Sequence, residues 1–142
     1  MPFYPDVQRV YGKTLRMITL YGIPNCDTVK KARTWLQAQS LAYTFHDFKK
    51  QGVPSGKLHV WAAYVGWDLL LNRKGTTWRN LSAAEQDSSA SPDGASALAA
   101  INPGLIKRPV VEWGAGALKA VTVGFDAADW TANLEISGMT AK

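Results

Sequence analysis

Ile18-Thr19-Leu20-Tyr21-Gly22-Ile23-Pro24-Asn25-Cys26-Asp27-Thr28-Val29-Lys30-Lys31 is the stretch that decides how this chain reads. Met17 to Tyr21 is a short run rich in Ile, Leu and Tyr, suited to a buried strand. Gly22, Pro24 and Asn25 then supply turn chemistry. From Asp27 to Gln39 the apolar positions Val29, Ala32 and Leu36 recur at spacings of three and four, which is one helical face. Lys30, Lys31, Arg33 and Gln37 fill the remainder, and Asp27 in the first turn suits the helix dipole. Cys26, the only cysteine, therefore stands where a strand has turned into a helix. A thiol in that place faces unpaired backbone N–H groups and the positive end of the dipole. Such surroundings favour the thiolate, the reactive species. The competing reading is an inert cysteine packed as a small hydrophobe.

Working outward, Tyr43 to Phe48 alternates like a second strand. Gly52, Pro54 and Gly56 break the chain. Lys57 to Leu71 is then strongly helical, with Leu58, Trp61, Val65 and Leu69 on one face and Gly66 weakening or dividing the helix. Arg73 to Trp78 reads as a polar loop. Leu81 to Ile101 reads as two short helices split at Ser91-Pro92-Asp93-Gly94, the second from Ala95. Val110 to Trp113 and Ala120 to Val123 form a strand pair around the turn Gly114-Ala115-Gly116-Ala117. Asp126 caps a last helix, Ala127 to Leu134. The order strand, helix, strand, helical insertion, strand, strand, helix predicts an α/β fold of thioredoxin-like type. Its first three elements make a right-handed crossover with parallel strands, and the late hairpin adds antiparallel ones. The sheet has four strands and is mixed, with an all-helical block inserted at about 54–104. We divide the chain into an extension at 1–16, a single domain at 17–135 and a tail at 136–142.

Composition bounds the function. The chain has 142 residues, 46% hydrophobic and 19% charged, which suits one globular domain. One cysteine excludes an intramolecular disulfide framework and fits a reducing compartment. No apolar run approaches a membrane span of about 18 residues, and Met1 to Arg16 has no signal-type apolar core, so the expected location is the cytoplasm. A net charge of +5 favours anionic partners. The basic residues are scattered, with no run longer than two, which suits small anions better than a phosphate-tracking surface; no direct nucleic-acid binding is expected. His46 and His59 with one cysteine cannot complete a common zinc set, so no metal is assigned. The six tryptophans are dispersed and fit core packing.

Three segments carry a family resemblance: Ile18 to Ala32, Leu69-Leu70-Leu71-Asn72-Arg73-Lys74-Gly75-Thr76-Thr77-Trp78, and Ile106-Lys107-Arg108-Pro109. In order and spacing they resemble the ArsC/Spx/YffB family of arsenate reductase-like proteins, nearest its YffB-type branch. The resemblance implies a thioredoxin-like fold and a thiol-dependent reductase with Cys26 as nucleophile. Arg108 and Arg73 would bind an anion, Pro109 would be a cis-proline facing the cysteine, and Lys30 and Asn25 would assist. No cofactor is implied; glutathione is the co-substrate, with glutaredoxin or a small anionic or thiol substrate as partner. Two rivals remain within the family: a regulator binding an RNA polymerase subunit, as Spx proteins do, and a genuine arsenate reductase. The reductases have a histidine where this chain has Gly22, and a third arginine where it has Ala120-Val121-Thr122. Spx proteins have a second cysteine where it has Val29. Each site residue has a plainer reading beside it. Arg108 could pair with Glu112 or Asp47, Arg73 could be a solvated loop charge, and Lys30 an exposed helix residue. Asn25 or Thr28 could cap the helix.

Overall fold

The structure, a computed structural model, describes residues 17–114 and 118–136. The assignments at 1–16 and 137–142, and three of the four turn residues at 114–117, lie outside them. Four strands make one sheet: β1 (Met17–Gly22), β2 (Thr44–Asp47), β3 (Val110–Gly114) and β4 (Leu118–Val123), in the order β2-β1-β3-β4. β1 is parallel to β2 and antiparallel to β3, and β3 is antiparallel to β4. Helix α1 (Asp27–Ala38) connects β1 to β2. Between β2 and β3 come α2 (Phe48–Gln51), α3 (Ser55–Val65), α4 (Trp67–Leu70), α5 (Thr76–Arg79), α6 (Ala83–Ser88), α7 (Pro92–Ile101) and a 3-10 turn at Pro103–Leu105; α8 (Ala127–Ile136) closes the fold. This is the predicted mixed sheet with a helical insertion.

Strand alternation sends successive side chains to opposite faces, and here each face has its own core. Ile18, Leu20, Val111 and Trp113 meet Val29, Ala32 and Leu36 of α1 and Trp130 and Leu134 of α8. Tyr21, Val110 and Val121 meet Leu58 and Trp61 of α3, Leu70 of α4, and Leu98 and Ala99 of α7. Burying one such side chain is worth roughly 1.5–3 kcal/mol, so the α1 stripe read from the sequence is enough to fix that helix against the sheet. Trp61, Trp113 and Trp130 are fully buried, as core packing requires. Asp126 Oδ1 accepts from the Asp129 N–H, the expected cap of α8.

Where expectation and structure part, local chemistry is the reason. The second strand stops at Asp47 because its carboxylate accepts from the Lys49 N–H and starts α2, which carries Phe48 into the core. Gly66 adopts a φ of +85° and divides the long helix. The division resets the helical phase: Leu70 and Leu71 become buried, while Leu69, placed on the apolar face by uninterrupted counting, is 56% exposed. The Arg73 to Trp78 segment runs into α5 from Thr76 and is not a plain loop. The expected break between two short helices is present, but the second begins at Pro92 and not at Ala95: the Ser91 hydroxyl accepts from the Gly94 N–H, and Pro92 holds the first helical position, where its missing N–H costs nothing.

Candidate active site

Cys26 is the N-cap residue of α1, in an extended conformation (φ −102°, ψ 126°), and no side chain caps this helix. The capping role open to Asn25 and Thr28 is therefore not taken up. Asn25 is exposed, one residue before the cap, and Lys30 is exposed in the first turn, its N–H bonded to the Cys26 carbonyl at 2.9 Å. Cys26, half-buried and packed against the α1 core, thus stands at a helix start whose first N–H groups take no bond from its side chain.

Pairing between β1 and β3 brings the second expected element to the same place. Tyr21 lies opposite Val110; one step further, that register sets Pro109 beside Gly22, at the end of β1 from which the Cys26 turn departs. The Arg108–Pro109 peptide is cis, as the resemblance implies. The Pro109 carbonyl accepts from the Gly124 N–H at 2.9 Å. Arg108 is half-buried and makes no hydrogen bond or ion pair to a described residue, through backbone or side chain. Its plainer partners are engaged elsewhere: Asp47 with Lys49 and Gln51, Glu112 within the sheet core.

Arg73 is different. Its guanidinium is held by Asp68 at 2.8 Å and lies 5.6 Å from the centre of the Trp78 ring. The loop before it is tied by an antiparallel bridge, Leu71 to Ile106, from which the two chains leave in opposite directions. Arg108 runs into β3 and Arg73 toward α5. Of the two arginines, only Arg108 keeps its donors unclaimed by described residues.

Glu112 drew notice in the sequence only as a partner for Arg108, yet it organises the opposite face of the sheet. It is buried, and its carboxylate accepts from the Tyr21 hydroxyl at 2.9 Å, Trp61 Nε1 at 2.9 Å and Lys57 Nζ at 3.0 Å. The signal was available: one charge inside Val110-Val111-Glu112-Trp113, a strand otherwise apolar to its final glycine. Burial, then the Glu112 hydrogen bond and charge, push the Tyr21 hydroxyl well above the ordinary phenol range. A proton held more tightly in the folded chain stabilises it fully below the unfolded phenol pKa of about 10, and that contribution is lost as pH rises beyond. Urea midpoints measured from pH 9 to 11.5 are therefore expected to fall more steeply for the parent than for Tyr21→Phe; parallel curves would contradict it.

No group of three His, Cys, Asp or Glu among the described residues is placed to hold a metal ion, and no helix among them is long and apolar enough to cross a membrane.

The model of the ArsC family matches residues 21–133. An uncharacterised protein of Haemophilus influenzae is 44% identical over 95 residues, 67% of this chain and 82% of that relative. The global transcriptional regulator Spx of Staphylococcus haemolyticus is 27% identical over 97 residues, 67% of this chain and 72% of its own. Among solved structures, a YffB protein superposes with a TM-score of 0.76 at 43% identity, covering 82% of this chain and 98% of the other.

Proposed function

Because the chain belongs to the ArsC family, whose arsenate reductase-like fold it shares, we propose that it is a monothiol reductase of the cytoplasm. Cys26 is the nucleophile, and glutathione, directly or through glutaredoxin, is the electron donor. The observation that carries this reading is the placement at one sheet end of a half-buried cysteine on an uncapped helix start and of Arg108, which has no partner among the described residues.

The chemistry balances with one sulfur. The Cys26 thiolate attacks a glutathionylated thiol, forming a mixed disulfide with glutathione and releasing the substrate thiolate. A second glutathione thiolate then attacks the mixed disulfide, freeing Cys26 and leaving as glutathione disulfide. The substrate's mixed disulfide is reduced to a thiol, one free glutathione is oxidised, and the glutathione disulfide released carries that glutathione and the one brought in by the substrate. The residues divide the work. The first-turn N–H groups of α1 point toward the end of the helix where Cys26 stands, and Lys30 adds an exposed cation one turn on. The Arg108 guanidinium offers a planar fork to a carboxylate. The N–H and C=O of Arg108, beside Pro109 and unbonded to any described residue, offer strand-like pairing to a peptide backbone. Asn25 borders the sulfur from the turn, and Arg73, held by Asp68, serves at most as an outer anion contact.

Arsenate is the weaker substrate. At Gly22, where the reductases have histidine, an added Cβ would stand 2.8 Å from Val29 Cγ2, so that side chain does not fit without displacing the buried Val29. The third arginine is also missing. A regulator that binds an RNA polymerase subunit has the Spx relative in its favour. Against it, the position three after Cys26 is Val29, fully buried and without sulfur.

Intact-mass measurement of the protein with glutathione disulfide tests the proposal. One added glutathione, removed by excess glutathione or by glutaredoxin, is the expected result. An unmodified protein under these conditions would overturn it. An arsenate-reduction assay with glutaredoxin, run alongside, is expected to be negative.

A further inference from the structure

We infer that Glu112 is a positioning residue for the Cys26 turn, acting through Tyr21 and Gly22 from the opposite face of the sheet. The inference rests on the reading of Cys26 as the reacting thiol. A carboxylate buried in a sheet is costly unless fully hydrogen-bonded, and an apolar side chain at position 112 would pack with Val110 and Val121 without that cost. What the carboxylate supplies instead is direction. Its Oε1 takes the Tyr21 hydroxyl from β1, and its Oε2 takes Trp61 and Lys57 from α3. The Tyr21 ring is thereby fixed in orientation, with its centre 4.7 Å from that of Trp61 and 4.9 Å from that of His46.

Tyr21 is the residue before Gly22, and Gly22 approaches Val29 too closely to admit a Cβ without displacement. Val29 is in the first turn of α1 and fully buried. The contacts are therefore continuous from Glu112 to Tyr21, through the backbone to Gly22, across to Val29, and so to the helix that begins after Cys26. A tilt of Tyr21 is passed to the first turn of α1 because close-packed neighbours leave no slack to absorb it. Pro109 has a further anchor on its β4 side, its carbonyl accepting from the Gly124 N–H. Loosening Tyr21 consequently changes how the sulfur stands relative to Arg108 and Pro109.

The test compares Glu112→Gln with the milder Tyr21→Phe, and with Ser91→Ala, which loses a remote helix cap and controls for stability alone. At a temperature where all are folded, the two hub variants are expected to react with glutathione disulfide at Cys26 several-fold more slowly. Their reaction with iodoacetamide, small and uncharged, is expected to stay within about two-fold, and Ser91→Ala is expected to match the parent in both. Amide exchange supplies a readout that needs no thiol chemistry. Protection at Gly22 and at Lys30, whose N–H is bonded to the Cys26 carbonyl, is expected to fall in the hub variants while β4 amides keep theirs. Unchanged exchange at Gly22 and Lys30 overturns the inference, as does an equal slowing with both reagents. If the parent itself forms no mixed disulfide, the reductase reading falls, and amide exchange still decides whether Glu112 positions the turn. Should Glu112→Gln fail to fold, Tyr21→Phe carries the same comparison.

Discussion

Cys26→Ser is expected to lose all mixed-disulfide formation and all reductase turnover, and to be more stable than the parent. The first half follows from bonding. An oxygen at this position cannot form the disulfide on which both steps depend, so no residual path through the same intermediate exists. The second half follows from where the sulfur sits. Position 26 is the N-cap of α1, its backbone is already extended as caps require, and no side chain caps the helix. Serine is among the strongest N-cap residues, its hydroxyl accepting from an N–H of the first turn, and such a cap is worth about 0.5–2 kcal/mol. For a chain of this size that corresponds to a rise in Tm of a few degrees. Thermal unfolding and intact mass read the two effects on one sample. A variant that is inert but no more stable would mean the hydroxyl finds no N–H to accept from. A variant that still turns over would end the case for Cys26.

Apart from that uncapped helix start, much of this molecule was legible beforehand. The α1 stripe of Val29, Ala32 and Leu36 and the strand before it depend on local periodicity, which sequence carries directly. The sheet order follows, since a strand-helix-strand unit and a hairpin leave few ways to share one sheet. The errors fall where one residue overrides the period. Asp47 turned a strand end into a cap, Gly66 rotated the phase so that Leu69 faces outward, and Ser91 with Pro92 started the second of the two expected helices ahead of Ala95. Gly94 consequently stands inside that helix, where a Cβ would collide with the Ser88 carbonyl. The site divided in the same way. Cys26 and Arg108 are marked by motifs beside strand ends, whereas the bonding of Arg73 to Asp68 and of Glu112 to Tyr21 depends on three-dimensional neighbours that no spacing encodes.

Arg108→Ala is expected to slow the reaction of Cys26 with glutathione disulfide by about 10- to 100-fold while leaving stability nearly unchanged. Hydrogen bonds to charged groups are worth about 1.5–3 kcal/mol, and each 1.4 kcal/mol is a factor of about ten. Arg108 makes no bond to a described residue, so removing its side chain strips little from the fold, and the Tm is expected to hold within a degree or two. Lysine at this position restores the charge but not the paired donors of a guanidinium, and should recover part of the rate. Two further comparisons separate recognition from general damage. A neutral dialkyl disulfide has no carboxylate for Arg108, so its rate with the variant should match the parent. Added salt should slow the parent with glutathione disulfide more than it slows the variant, because screening weakens an interaction the variant has already lost. Asp68→Ala, which frees Arg73, makes the converse case: if Arg73 is only an outer contact, releasing it changes the rate with glutathione disulfide by no more than about two-fold. Equal slowing of Arg108→Ala with charged and neutral disulfides would place its role in the local backbone, and the guanidinium would no longer be the anion-binding group.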